Sequence, residues 1–184
     1  YILSVHVPIA GMAMLPIFFG LPAMLFPMHI AFLELIIDPA CSLAFENETA
    51  EDDIMQRPPR HTHAALFGGA TLWFSLLQGL GVFLAVMGAY IWGIRHLADS
   101  EARAFAFAVL VIADVLLIFS YRSRRQRLLA SLRSMNAMLA AVAGGTLALL
   151  LLVLYVPWFA GMLRFTPLSA LHLAAAAGIA FIVV

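Results

Sequence analysis

The sequence predicts an all-α membrane protein, a polytopic bundle of about six transmembrane helices. Hydrophobic residues form 64% of its 184 residues and charged residues only 11%, whereas a soluble domain carries about 25% charged residues. Several apolar stretches reach the length of about 20 residues that a helix needs to cross a bilayer. They lack the alternating pattern of barrel strands, so helices are expected to satisfy the backbone hydrogen bonds in lipid.

The first two helices come from one apolar region. Residues 1–33 contain no Asp, Glu, Lys or Arg, and this stretch is too long for a single straight span. Gly20-Leu-Pro22 indicates a turn within it. A helical hairpin is therefore expected, with helices at about 1–19 and 26–45.

Polar segments separate the remaining helices. The charged segment 46–63 precedes a glycine-rich third helix, whose small residues permit close packing. A loop at 95–103, the Arg-rich segment 122–135 and a loop at 157–167 precede the fourth, fifth and sixth helices. These four helices are expected at about 65–93, 104–121, 136–156 and 168–184.

The distribution of arginine predicts the orientation of the bundle. Seven of the ten Arg residues fall in segments 46–63 and 122–135, and three fall in loops on the other side. Cytoplasmic loops of membrane proteins carry an excess of positive residues. We therefore expect 46–63 and 122–135 to be cytoplasmic, with Tyr1 on the same side and the turn at 20–27 outside.

Two carboxylates inside the second helix are the main candidates for function. A carboxylate at the bilayer centre costs about 2.5–3.5 kcal/mol on insertion scales, so such residues usually have a function. Glu34 and Asp38 are four residues apart and lie on the same side of a helix. Pro39 removes a backbone donor, which predicts an irregular turn with free carbonyl groups. This combination predicts a cation site, and the alternative is a polar pair that only holds helices together.

Three further polar residues lie within apolar segments. Asp114, in the middle of the fourth helix, is a candidate for cation coordination or proton transfer, unless it simply bonds a neighbouring hydroxyl. His6, in the first helix, is either an ion ligand or an ordinary core histidine. His29, at the outer end of the second helix, is expected to be interfacial.

Several classes of function have no support in this sequence. It contains no Lys, so it has no phosphate-binding loop with a lysine, and it shows no arrangement of a Ser or Cys nucleophile with its base. No catalytic residue is therefore predicted. Since the ten basic and ten acidic residues balance, no nucleic-acid partner is expected.

Four features near the start of the chain carry a resemblance to a known family. They are Gly20-Leu-Pro22, Pro27, Glu34-Leu-Ile-Ile-Asp38 and Asp53-Ile-Met-Gln-Arg-Pro-Pro-Arg60. Their order and spacing resemble the C-terminal membrane half of cation-transporting P-type ATPases, in the branch that includes the calcium pumps. The resemblance implies that this chain supplies the fifth to tenth membrane helices of such a pump.

The resemblance also implies roles for the four candidate residues. Asp38 matches the family's central ion-ligating Asp. Glu34 falls where calcium pumps usually have a ligating Asn. Asp114 falls where some calcium pumps place an acidic ligand, and His6 falls at a family Asn on the first helix of this chain.

Other positions depart from the calcium-pump pattern. Ile9 stands where two-site calcium pumps carry Glu, Ile37 stands at a Thr ligand, and Pro39 replaces a Gly. Two oxygen ligands are thus lost and one carboxylate is gained. Calcium takes six to eight oxygen ligands, whereas a buried acid with few oxygen partners tends to hold its proton. Ca²⁺, Mn²⁺ and H⁺ therefore all remain candidates for the transported cation.

The resemblance finally implies parts of the pump that this sequence does not contain. ATP and Mg²⁺ would bind in cytoplasmic domains, and further N-terminal membrane helices would complete the bundle in the lipid bilayer. The start at Tyr1, without Met, is expected for a piece of a longer protein. Exclusive use of Arg with abundant Ala suggests a GC-rich bacterial genome and hence a bacterial plasma membrane. The alternative is a free-standing secondary carrier or a non-enzymatic membrane scaffold.

Overall fold

A computed structural model describes residues 1–39, 68–122 and 137–184 of the chain. Every regular element in these residues is a helix, which confirms the predicted all-α fold. The described helices are α1 (Ile2–Phe18), α2 (Pro27–Pro39), α3 (Gly69–His96), α4 (Asp99–Arg122), α5 (Ala137–Tyr155), α6 (Pro157–Met162) and α7 (Ala170–Val183).

The connection between α3 and α4 is shorter than the sequence predicted. α3 continues to His96, and α4 begins at Asp99 rather than near 104. Asp99 and Glu101 lie in the first turn of α4, where negative charge complements the partial positive charge of a helix N-terminus. The acidic residues therefore start the helix earlier than its apolar pattern suggested.

Another difference lies in the segment 157–167, which was expected to be a loop. It contains the short helix α6, which begins with Pro157 at a position where a missing N–H costs nothing. The predicted loops at 46–63 and 122–135 lie outside the described residues, apart from Arg122, which ends α4.

α4 is the central helix of the described bundle. It packs against α1, α3, α5 and α7. Every residue from 102 to 111 is at most 7% exposed. A helix that is apolar on all sides is buried in a protein core or in lipid, and other helices of the described chain enclose much of α4.

Glycines let the neighbouring helices approach α3 closely. A β-carbon at Gly79 would lie 2.9 Å from the Ser4 carbonyl oxygen of α1. A β-carbon at Gly93 would lie 2.9 Å from the β-carbon of Ala102 in α4. Small residues at such crossings are typical of membrane helices, whose association depends on close van der Waals packing.

Three described helices, α3, α4 and α5, are long and apolar enough to cross a membrane. α1, α2 and α7 are also apolar but shorter, in the range of 10–17 residues. The described helices therefore fit an integral membrane bundle.

Hydrogen bonds mark two opposite ends of this bundle. At the end near Tyr1, called the Tyr1 end, the Tyr121 hydroxyl bonds to the hydroxyls of Ser4 and Ser75 and so joins α4 to α1 and α3. At the other end, called the Pro22 end, the Tyr90 hydroxyl donates to the Pro22 carbonyl at 2.7 Å. α1 and α3 thus run in parallel from the Tyr1 end, and α4 returns to it.

Candidate cation site

Glu34 and His6 meet across the α1–α2 hairpin. The Nε2 atom of His6 lies 3.6 Å from Oε1 of Glu34, and the two side chains are 47% and 42% exposed. The structure therefore brings together two of the four candidate residues. The pair lies on an open face of the described helices.

The hydrogen bond made by Nδ1 of His6 determines whether Nε2 faces Glu34 with a hydrogen or with a lone pair. Nδ1 lies 2.9 Å from the Ile2 carbonyl oxygen. A carbonyl oxygen can only accept a hydrogen bond, so Nδ1 carries the hydrogen and Nε2 of the neutral ring carries a lone pair. The lone pair and the carboxylate oxygen are both acceptors. A proton or a bound cation placed between these two atoms would be attracted to both of them.

The backbone of α2 places Glu34 and Asp38 one helical turn apart. α2 is helical through Pro39, so the irregular turn expected before this proline is absent from the described helix. Pro39 is the last residue described before position 68. The side chain of Asp38 lies outside the described structure, and its role as a ligand stays a prediction.

Asp114 is buried in the interior of the bundle. It is 2% exposed, and neither of its carboxyl oxygens has a hydrogen-bond partner in the part of the chain that the structure describes. Phe107, seven residues earlier, occupies the same face of α4 and packs against the Phe32 ring of α2 at 6.0 Å between centroids. Asp114 therefore lies on the side of α4 that faces α2, two turns closer to the Tyr1 end.

The candidate residues do not form a complete metal site within the described chain. Among the side chains of residues 1–37, 68–121 and 137–184 that the structure describes, no three His, Cys, Asp or Glu residues come together as metal ligands. His6 and Glu34 form a pair, and Asp114 belongs to no such group. A complete coordination shell would thus need Asp38 or residues beyond the described ones.

A proline in α1 leaves one carbonyl group of this helix without its usual hydrogen bond. Pro8 has no N–H, so the Ser4 carbonyl lacks the usual bond from the residue four positions later. This carbonyl faces Gly79 of α3. The Ser4 carbonyl is therefore part of the surface at which α1 packs against α3.

His29, expected to be interfacial, lies in the first turn of α2 and is 1% exposed. Its Nδ1 accepts a hydrogen bond from the Phe26 N–H at 3.0 Å. Its Nε2 therefore carries the hydrogen and donates to the Leu163 carbonyl at 2.9 Å. The bond from Phe26 is a capping interaction. The side chain of the third residue of α2 accepts a hydrogen bond from the backbone N–H of the residue that precedes the helix. The position of His29 two residues after Pro27, the first residue of α2, was the signal that could have predicted this capping bond.

Arg103, predicted to lie in a loop, is 7% exposed inside α4. Its Nε donates to the Ala23 carbonyl at 3.3 Å, and its Nη1 donates to the Arg164 carbonyl at 3.0 Å. One guanidinium group therefore ties the α1–α2 loop to the segment after α6. The early start of α4 is what places Arg103 inside the helix.

The chain matches known cation pumps over most of its length. Residues 22–184 match the family described as cation transporting ATPase, C-terminus. The probable calcium-transporting ATPase of Trypanosoma brucei brucei is 29% identical over 178 residues, covering 82% of this chain and 17% of the relative. The calcium-transporting ATPase of Bacillus subtilis (strain 168) is 26% identical over 159 residues, covering 85% of this chain and 18% of the relative.

A plant protein shows a similar degree of likeness. The endoplasmic reticulum-type calcium-transporting ATPase 3 of Arabidopsis thaliana is 26% identical over 181 residues, with 82% of this chain and 18% of the relative covered. The chain thus spans less than one fifth of the length of these relatives. Together with its apolar helical bundle, the family match shows that the chain belongs to the cation-transporting ATPase family, whose C-terminal membrane region it represents.

Proposed function

We propose that this chain forms the cation-binding and translocation part of an ATP-driven cation pump. The observation that carries the proposal is the pair of facing acceptors, Nε2 of His6 and Oε1 of Glu34, at 3.6 Å. In this proposal a positive charge binds between these two acceptors. In metal sites, a ligating His commonly donates its other N–H to a backbone carbonyl, as His6 does to Ile2.

Three helices would contribute to the site in this proposal. α2 supplies Glu34 and, one turn later, Asp38 as carboxylate ligands. α1 supplies His6 opposite Glu34. α4 supplies Asp114, which supports the proposal because its carboxyl group is buried on the α2-facing side with no partner among the described residues. Remaining ligands would come from membrane helices of the same protein that are absent from this sequence.

Ca²⁺ is the first candidate for the transported cation. The relatives are named as calcium-transporting ATPases, and carboxylates are ligands that Ca²⁺ prefers. His6 favours the two other candidates, Mn²⁺ and H⁺. An imidazole is an uncommon ligand for calcium, whereas it binds transition metals and protons readily.

Transport would require that the site bind the cation differently in two conformations of the pump. ATP and Mg²⁺ would act in cytoplasmic domains outside this sequence, and α1 would transmit their motion to the site. The segments 46–63 and 122–135 would then face the cytoplasm. The host membrane in this proposal is a bacterial plasma membrane.

The test is cation-stimulated ATP hydrolysis by the reconstituted full-length protein. Hydrolysis is measured against Ca²⁺, Mn²⁺, Mg²⁺ and pH, with Asp38→Asn and His6→Asn beside the wild type. Stimulation by one cation that Asp38→Asn abolishes supports the proposal and identifies the ion. Dependence on pH alone identifies H⁺ as the cargo. A folded protein with no hydrolysis under any condition, or an Asp38→Asn variant with unchanged cation dependence, contradicts the proposal.

A further inference from the structure

An apolar groove lies between α2 and α5 on the surface of the described bundle. Its part near the Pro22 end has a volume of about 330 Å³. The side chains that line it are Met28, Phe32, Leu35, Leu149, Leu152 and Met162, among others. Several of them are half exposed, including Met28 at 47%, Leu35 at 60% and Met162 at 45%. This part of the groove contains almost no polar surface and is open to the outside of the described bundle.

The groove continues toward the Tyr1 end. A second apolar hollow of about 250 Å³ shares Leu35 and Leu149 with the first. On α5 the two hollows extend from Met138 to Val153, a rise of about 22 Å at 1.5 Å per residue. The hydrocarbon layer of one leaflet is about 15 Å deep. The groove is therefore long enough for one acyl chain.

Arg164 lies near the Pro22 end of the groove. It follows Leu163, which lines the groove, and its guanidinium lies 4.9 Å from the centre of the Phe26 ring. The guanidinium of Arg103 lies 5.1 Å from the same ring. In the described part of the chain, neither arginine forms an ion pair with a carboxylate. Two cationic groups that form no ion pair with a described carboxylate thus lie near the end of an apolar groove.

The backbone at Arg164 is held in an unusual conformation. Its φ angle is 54°, in the left-handed region that residues with a side chain rarely adopt. The bond from Arg103 to the Arg164 carbonyl supports this conformation. Trp158, six residues earlier, is 66% exposed, and exposed Trp residues mark the headgroup level of a membrane. This neighbouring Trp favours a depth near the lipid phosphates for Arg164.

We propose that this groove binds a phospholipid with a net negative headgroup. One acyl chain lies in the groove between α2 and α5, and a phosphate oxygen accepts hydrogen bonds from the Arg164 guanidinium. Arg103 is buried and adds positive charge without contacting the lipid. The unpaired charge selects an anionic headgroup, and the apolar groove selects a lipid rather than free phosphate. This proposal concerns a site other than the one for the transported cation.

The test measures which lipids the full-length protein retains. The protein in detergent is mixed with equal amounts of phosphatidylglycerol and phosphatidylcholine, and the bound lipids are counted by native mass spectrometry. The wild type is expected to retain phosphatidylglycerol preferentially. Arg164→Gln should lower this preference about fivefold, the effect of one arginine at a charged membrane surface. Arg95→Gln, which removes an exposed arginine outside the groove, is the matched control and should leave the preference unchanged.

A second variant tests the groove separately from the charge. Leu152→Trp fills the groove and should reduce retention of both lipids, while the melting temperature stays near that of the wild type. Equal retention of the two lipids by the wild type, or an unchanged preference in Arg164→Gln, overturns the proposal. Unchanged lipid retention in Leu152→Trp also overturns it and shows that another part of the protein covers the groove. Because the readout needs no ATP hydrolysis, its failure is separate from failure of the proposed pump activity.

Discussion

Gly79 of α3 packs directly against the backbone of Ser4 in α1. A β-carbon at position 79 would lie 2.9 Å from the Ser4 carbonyl oxygen and 3.0 Å from both the Ser4 α-carbon and the Val7 β-carbon. The nearest atoms belong to the backbone, so they cannot move aside as a flexible side chain would. The crossing of α1 and α3 therefore depends on the absence of a side chain at this position, and α1 carries His6 only two residues further on.

Gly79→Ala should destabilise the protein by about 1–3 kcal/mol, because overpacking at a close crossing forces the two helices apart. Gly88→Ala is the matched control in the same helix, since a β-carbon there meets no atom within 4 Å. The control should be neutral or stabilise by up to about 1 kcal/mol, because Ala favours a helix more than Gly does. Thermal unfolding of the full-length protein in detergent measures both. Equal melting temperatures for the two variants would refute the close contact.

The overall fold was predictable because lipid leaves few options for an apolar chain. Long uncharged segments must form helices, and Gly20-Leu-Pro22 indicated the turn that joins α1 to α2. The start of α4 was harder to predict, because the apolar pattern begins after the acidic residues that stabilise the first turn. The short helix α6 was missed since two prolines, Pro157 and Pro167, suggested a loop throughout.

The candidate site was predictable in part. Carboxylates within apolar segments identified Glu34 and Asp114, but no sequence pattern showed that His6 would meet Glu34 across the hairpin. The roles of His29 and Arg103 depend on carbonyl groups of distant segments, at Leu163 and in the α1–α2 loop. Every residue has a backbone carbonyl group, so the sequence does not show which residue provides the acceptor. The sequence therefore could not predict these partners.

Glu34→Gln should raise the cation concentration for half-maximal ATP hydrolysis at least about tenfold, a scale at which metal sites respond even to changes around their ligands. Glu101→Gln is the matched control, because Glu101 also pairs with a histidine, His172, at 3.1 Å. This second pair lies at the Pro22 end, away from the candidate site. The control should keep the wild-type cation dependence. Equal shifts in the two variants would show that Glu34 acts through general stability and not through binding.

Arg103→Met should destabilise the protein by about 1.5–3 kcal/mol, because it removes charge-assisted hydrogen bonds to the carbonyls of Ala23 and Arg164. The Met side chain keeps much of the apolar volume of Arg. The decrease in stability therefore reflects the lost hydrogen bonds. Arg95→Met, at an exposed position near the end of α3, should change the melting temperature little. Limited proteolysis of the loop at 19–26 gives a second readout, and cleavage should be faster only in Arg103→Met. Similar stability of both variants would argue against a stabilising link by Arg103 between the α1–α2 loop and the segment after α6.

Asp114→Leu should make the protein more stable and less active. Neither carboxyl oxygen of Asp114 has a partner in the described chain, and an unsatisfied buried polar group costs about 1–3 kcal/mol. Leu has a similar size and no polar atoms, so the melting temperature should rise, while cation-stimulated hydrolysis should fall because a site residue is lost. Asp114→Asn keeps the shape and a polar group, and should lose activity without the gain in stability. A lower melting temperature for Asp114→Leu would instead show that Asp114 has a structural partner beyond the described residues, and unchanged activity would remove it from the cation site.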